Sequence, residues 1–145
     1  MSIKIKEVSI EEIIKVNDTI IEFEVHYDKN YFEDKYKKQT KLLIIAYLDN
    51  KPAGYLIGYD RFNDSSFYCW LAGVSPKFRK KGILKSLMEY EEEWAKKHKY
   101  KKIVIKTRNK WRAMISYLVK YGYQFIEVQQ KPDISENRII LEKSL

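Results

Sequence analysis

The chain has 145 residues and a mass of 17.5 kDa, enough for one folded domain with a real core and too little for two, so residues 1–145 read as a single domain. Hydrophobic residues make up 45 % and charged residues 33 %, with five Gly and three Pro, which excludes a disordered, collagen-like or low-complexity chain. Cys69 is the one cysteine, so an internal disulfide is excluded, and with His26 and His98 as the two histidines no structural zinc site is expected.

Ile3-Lys4-Ile5-Lys6-Glu7-Val8 alternates apolar and charged residues and reads as a strand, not as the apolar core of a signal peptide. No apolar run approaches the roughly 20 residues of a membrane helix, so a cytoplasmic protein without membrane contact is expected. Ser9-Ile10-Glu11-Glu12 fits a capping box, and Ile10, Ile13, Ile14, Asn17, Ile20 and Ile21 follow at helical spacing, predicting a helix to about Phe23. Residues 24–39 are aromatic and charged, with a weak helical pattern through Tyr27, Tyr31, Phe32 and Tyr36. Leu42 to Leu48 and Ala53 to Tyr59 read as a hairpin around Asp49-Asn50-Lys51-Pro52. Phe67 to Val74 is a continuous apolar run, the pattern of a central strand covered on both faces, with Tyr68 and Trp70 on one face and Phe67, Cys69 and Leu71 on the other.

Ile83 to Lys97 is predicted as an amphipathic helix whose Glu92–Lys96 and Glu93–Lys97 spacings suit ion pairs and whose end at His98 suits a C-terminal cap. A strand from Lys101 to Thr107 comes next, then a helix from Lys110 to Tyr121 capped by Asn109 and stopped by Gly122. Two strands, Gln124 to Gln130 and Arg138 to Glu142, complete the chain.

The net charge is +8, and it is unevenly placed: residues 1–72 hold 10 Lys/Arg against 12 Asp/Glu, residues 73–145 hold 18 against 8. Such a basic half suits nucleic acid, an anionic surface or a phosphate-rich small molecule. Within it, Val74-Ser75-Pro76-Lys77-Phe78-Arg79-Lys80-Lys81-Gly82-Ile83-Leu84 joins the buried strand to the amphipathic helix through a basic loop with one glycine. Unpaired amides at a helix N-terminus, the helix dipole, and Lys80, Lys81 and Lys85 make this an anion site; the plain alternative is a helix start with solvated lysines. It has neither the paired glycines of a P-loop nor the three of a dinucleotide fingerprint.

The loop resembles the signature of the GCN5-related N-acetyltransferase (GNAT) family, Val-x-Pro-x-x-Arg-x-x-Gly-x-Gly/Ala, matched by Val74, Pro76, Arg79 and Gly82, with Leu84 at the last small position. The order of strands and helices along the whole chain is also the family's. This resemblance implies an α/β (α+β) acyl-CoA N-acyltransferase fold, a mixed and mostly antiparallel sheet of about seven strands with helices on both faces. It implies acetyl-CoA as co-substrate, held by Ala72, Gly73, Val74, Arg79, Lys80, Lys81, Gly82, Ile83, Leu84 and Lys85, between splayed strands that Gly73 helps to distort. It implies acetyl transfer to an amine acceptor by direct attack, with a backbone amide near Val74 polarising the carbonyl.

Counted back from Gly122-Tyr123, the family's Asn and Tyr positions fall on Trp111 and Leu118. Asn109 and Tyr117 lie nearby, out of register, and stand as candidates for a CoA contact and a general acid. Glu22 and Glu24, with His26 and Asp60, are the candidate bases, since the first helix and the hairpin line the acceptor side in the family; Lys106 occupies the place where some members carry a Glu base. Cys69 reads as a packed small hydrophobe, and the Tyr27, Tyr31, Tyr36 group as packed or half-exposed rings more than a cage for a cation.

Three classes of function are open: an N-acetyltransferase acting on a small molecule or protein, a silent CoA-binding relative, and a nucleic-acid module using the nine basic residues from Lys96 to Arg112. The last is disfavoured because those residues are split between three elements. Acetyl-CoA and an amine are the expected partners of a monomer or homodimer, and the slightly acidic first half points to a cationic amine.

Overall fold

The computed structural model describes residues 2–20 and 27–145. Its elements are β1 (Ile3–Glu7), α1 (Ile10–Asn17), α2 (Lys29–Tyr36), β2 (Lys41–Leu48), β3 (Lys51–Tyr59), β4 (Ser66–Val74), α3 (Ile83–Lys97), β5 (Lys102–Arg108), α4 (Arg112–Lys120), β6 (Gln124–Gln129) and β7 (Arg138–Ser144), with short 3-10 turns at Pro76–Phe78 and Ile134–Glu136. The strands form one sheet in the order β1-β2-β3-β4-β5-β7-β6. Neighbours are antiparallel except β4 and β5, which run parallel and are joined by the crossover through α3.

Strict alternation in β2 shows how the sheet is covered. Leu42, Ile44, Ala46 and Leu48 pack in the cluster that contains Ile83, Leu87 and Met88 of α3 and Ile115 and Leu118 of α4. Leu43, Ile45 and Tyr47 pack instead with Ile10, Ile13 and Val16 of α1 and Phe32 and Tyr36 of α2. The β2–β3 hairpin closes on Asp49 and Asn50, both with positive φ (49° and 69°), the backbone a two-residue hairpin turn demands. β3 therefore starts at Lys51, ahead of the Ala53 expected from pattern.

Half of the expected capping box forms, the Ser9 hydroxyl accepting from the Glu12 amide while the Glu12 carboxylate faces that hydroxyl, and the helix ends at Asn17 and not near Phe23. Asn17-Asp18-Thr19 turns the chain through i to i−3 bonds, and the Thr19 hydroxyl donates to the Val16 carbonyl at 2.6 Å. Asp28 caps α2, accepting from the Tyr31 amide at 3.0 Å. Asn109 does not cap α4: its amide donates to the Ile134 carbonyl and its carbonyl oxygen accepts from Arg112, so the helix begins later, at Arg112. Gly122, at φ 95°, does stop that helix, and His98 caps α3 through the Trp94 carbonyl, 2.8 Å from its Nδ1. Glu92 takes up Tyr123 (2.9 Å) and Lys143 (3.0 Å), a link to β7 in place of the expected Lys96 pair.

Two features of β4 shape the centre of the sheet. Ile57 pairs with Leu71 and Gly58 with Cys69, so Trp70 is an extra residue, a bulge. The bulge puts Leu71 on the same face as Trp70, toward α1 and α2, against the simple alternation expected from sequence. Gly73, expected to carry the distortion, sits in regular register opposite Tyr55.

Among the described residues the core holds one buried carboxyl. Glu91 of α3 is fully buried, and the weak Cys69 thiol is set against oxygens that no stronger donor satisfies. Burial, opposed by the neighbouring Cys69 thiol and helped by repulsion from Glu92, pushes its pKa up to about 8, and burial raises the Cys69 thiol well above its usual value. The folded state thus holds Glu91 protonated where the unfolded chain, at 4.5, has released the proton. This contribution is complete below pH 4.5 and drains away as pH rises towards 8. Glu91→Gln is therefore expected to melt like the native protein near pH 4.5 and progressively above it up to about pH 8. The gap should level off beyond that at a few kcal/mol, given about 1.4 kcal/mol per pH unit. Thermal melts of both proteins across this range check it.

Candidate active site

β4 and β5 pair only from Ser66–Cys69 to Lys102–Ile105. Beyond that point β4 stays with β3 as far as Val74 and β5 stays with β7 as far as Arg108, so the two strands part. The main-chain groups of Trp70–Val74 that face β5 are left without a strand partner. A cleft of about 990 Å³ runs through this gap. Ala72, Val74, Ile83, Leu84 and Met114 line it on the α3/α4 face, and Tyr27, Phe32, Tyr68 and Trp70 on the α1/α2 face.

At the α3/α4 end, the Ser75 amide donates to the Ala53 carbonyl (2.9 Å), Arg79 Nε donates to the Val74 carbonyl (3.2 Å), and the Ser75 and Thr19 hydroxyls share a hydrogen bond. The chain then bends through Lys80 (φ 61°) and Gly82 (φ 83°) into α3. No side chain caps that helix and no acidic residue lies in its first turn, so its leading amides face outward uncompensated. A Cβ at Gly82 would touch nothing closer than Ile3 at 3.9 Å, so the approach is open, while its left-handed φ demands glycine.

At the other end the Tyr55 hydroxyl donates to Asn17 Oδ1 at 2.6 Å, both residues buried. The Trp70 ring lies 5.7 Å from Phe32, 5.9 Å from Tyr59 and 6.0 Å from Tyr31, and Tyr27 stacks on Tyr31 at 3.6 Å. The Arg61 guanidinium sits 4.9 Å from the Tyr68 ring centre, and burial pushes the Tyr68 hydroxyl up to about 12. Lys106, Arg108 and Arg138 complete the walls.

Ala72, Gly73, Val74, Arg79, Lys80, Ile83 and Leu84 all line the cleft. Lys81 is exposed beside it, and Lys85 leans on Glu89 (3.7 Å) and over the Tyr121 ring. Asn109 spends its side chain on Ile134 and Arg112. Tyr117 is not among the lining residues; it packs against Tyr121 (4.6 Å) on the α3 side, where burial and then Glu92 raise its pKa. Glu22, Glu24 and His26 lie outside the described residues, and Asp60 accepts from Tyr100 at 3.0 Å. Among the described residues no Asp, Glu or His lines the cleft, and the charged side chains on its α1/α2 side, Arg61, Lys106 and Arg138, are cationic. The sequence gives no sign that Arg61, Lys106 and Arg138 meet, because the bulge and the β5–β7 register bring them together, although the alternation of β5 already puts Lys106 on the face of Val104.

No group of three or more His, Cys, Asp or Glu side chains among the described residues could hold a metal, and no described helix is long and apolar enough to cross a membrane. A parted parallel pair with a basic loop feeding the helix between them makes a cleft with an anion-binding end. The model of the acetyltransferase (GNAT) family matches residues 9–123, and the chain belongs to that family. No curated protein matches the sequence. Among solved structures, the ribosomal-protein-S18-alanine N-acetyltransferase of Escherichia coli superposes with a TM-score of 0.81 at 14 % identity, over 99 % of this chain and 94 % of that one. Ard1 of Thermoplasma volcanium gives 0.80 at 16 %, over 100 % and 99 %. The PaiA N-acetyltransferase of Thermoplasma acidophilum, in complex with coenzyme A, gives 0.74 at 20 %, over the whole of both chains.

The Tyr55–Asn17 pair ties β3 to α1 under the cleft. Tyr55→Phe leaves a buried amide oxygen unpaired and is expected to cost about 1–3 kcal/mol. Pairing it with Asn17→Leu should recover part of that loss, and denaturant unfolding of the two variants checks both.

Proposed function

We propose that this protein transfers an acetyl group from acetyl-CoA to a primary amine by direct attack. The observation that carries the reading is the open gap between β4 and β5, which leads straight to the uncapped N-terminus of α3. A diphosphate fits that end: the outward amides of Ile83, Leu84 and Lys85 meet it, Gly82 admits it, and Lys80 and Arg79 supply charge. The unpaired edges of β4 and β5 fit an extended chain of amides, which adds to a sheet edge as a strand does. When bound, acetyl-CoA supplies an activated thioester acetyl group.

The chain's own part is to exclude water with Phe32, Tyr68 and Trp70, and to present a main-chain N–H near Val74 to the acetyl oxygen. An alkyl amine arrives mostly protonated. With no carboxylate or histidine among the described lining residues, the proton leaves through water or through Glu22 or Glu24. The same observation favours a second reading, a family member that binds CoA without turnover.

Calorimetry and a thiol-release assay test these readings. Acetyl-CoA is expected to bind the native protein and to bind Gly82→Trp at least tenfold more weakly; absence of binding at millimolar ligand ends the proposal. Thiol release with an amine panel supports transfer, and tight binding with no release supports the silent reading. Glu22→Gln and Glu24→Gln, assayed alongside, show whether either carboxylate takes the proton: a base lost from the site lowers kcat at neutral pH and leaves acetyl-CoA affinity intact.

A further inference from the structure

The acceptor side of the cleft carries a concentration of like charge that folding does not explain. Lys106 is the first residue of β5 past its pairing with β4, and it shares the α1/α2 face of the sheet with Val104 and Ile140. Two residues along β7 from Ile140, on the same face, stands Arg138, and Arg61 closes the group from the end of β3. Lys106 makes no ion pair among the described residues. Its pKa is lowered, first by partial burial and then by repulsion from Arg61, Arg138 and Lys131, with the Glu127 carboxylate opposing them. Arg138 shares its carboxylate: Glu136 also serves Lys110 at 2.7 Å and Arg108 at 3.3 Å. Cations gathered at the wall of a cavity and short of carboxylates raise the free energy of the empty protein, and an anion relieves it. Beside them the rings of Trp70 and Tyr68 offer an apolar wall.

We propose that the acceptor is an amine that also bears an acidic group, a carboxylate or a phosphate, held by Lys106 and Arg138 with Arg61 at the rim, while Trp70 and Tyr68 take its apolar part. This rests on the acetyl-transfer reading and names its substrate class. Lys106 then acts in specificity: it raises affinity for the acid and rejects amines that bring only positive charge.

Matched amines test it in the thiol-release assay: phenylalanine against phenylalaninamide, and phosphoethanolamine against ethanolamine. The acidic member of at least one pair is expected to have a kcat/KM tenfold or more above its partner, and the pair that shows it identifies carboxylate or phosphate. Lys106→Met should raise KM for that acid at least tenfold with little change for the neutral amine, and Lys106→Arg should restore most of it. Equal use of both members of both pairs overturns the proposal, as does an equal fall in kcat for acidic and neutral amines in Lys106→Met, which would make Lys106 a base.

A binding arm covers the case of no turnover. N-acetylphenylalanine and phosphoethanolamine are titrated onto the CoA-saturated protein, where millimolar binding weakened at least fivefold by Lys106→Met supports the site and no binding of either overturns it. Failure of acetyl-CoA itself to bind strikes the acetyl-transfer reading instead, so the two failures are distinct.

Discussion

The cleft of this molecule depends on where the parallel pairing of β4 and β5 stops. Each strand is fully committed on its other edge, β4 to β3 through Val74 and β5 to β7 through Arg108, so parting them costs only the bonds between them. The bulge at Trp70 supplies the local twist that turns β4 away one residue after the last shared pair at Cys69. An open pair of sheet edges inside a folded domain is otherwise a liability, because unpaired buried main-chain groups are costly. Here they line a cleft, where solvent or an extended ligand satisfies them.

Close packing then aims α3 at the gap. A Cβ on Gly54 would lie 2.7 Å from the Gly73 carbonyl oxygen and 3.0 Å from the Ile83 side chain. Glycine at that position lets the first turn of the helix settle directly on β3 and β4. The Thr19–Ser75 and Arg79–Val74 bonds fix the intervening loop from either side. The helix dipole therefore points at the mouth of the cleft for reasons of packing, with no acidic residue in the first turn to cancel it.

Most of the framework is legible in the sequence because it rests on local signals. The capping box at Ser9, the alternation of β2, the run of β4 and the whole of α3 from Ile83 to Lys97 are written in period and caps. The departures are set by contacts between distant segments. Asn109 looks like an N-cap, but Asn137 and Ser135 bond the backbone at 109 and 110 and hold the turn open until Arg112. Leu71 faces the other way from simple alternation because a bulge is a mismatch between two strands and has no signature in one. Tyr117 falls beside a motif position and still faces α3, a matter of helix phase that only the packed α4 fixes.

Charge obeys the same rule. Counting by halves makes the α1/α2 side of the cleft look acidic, since α1, α2 and the hairpin belong to the first half. The walls that meet there come also from β5 and β7, whose basic residues are distant in sequence and set side by side by the sheet order. The empty wall already carries the repulsion that lowers Lys106 itself, so an acidic group seated among Lys106, Arg61 and Arg138 relieves it, whereas a ligand that brings only positive charge adds to it. Sheet order thus sets the charge a ligand meets on this wall, and no count along the chain reveals it.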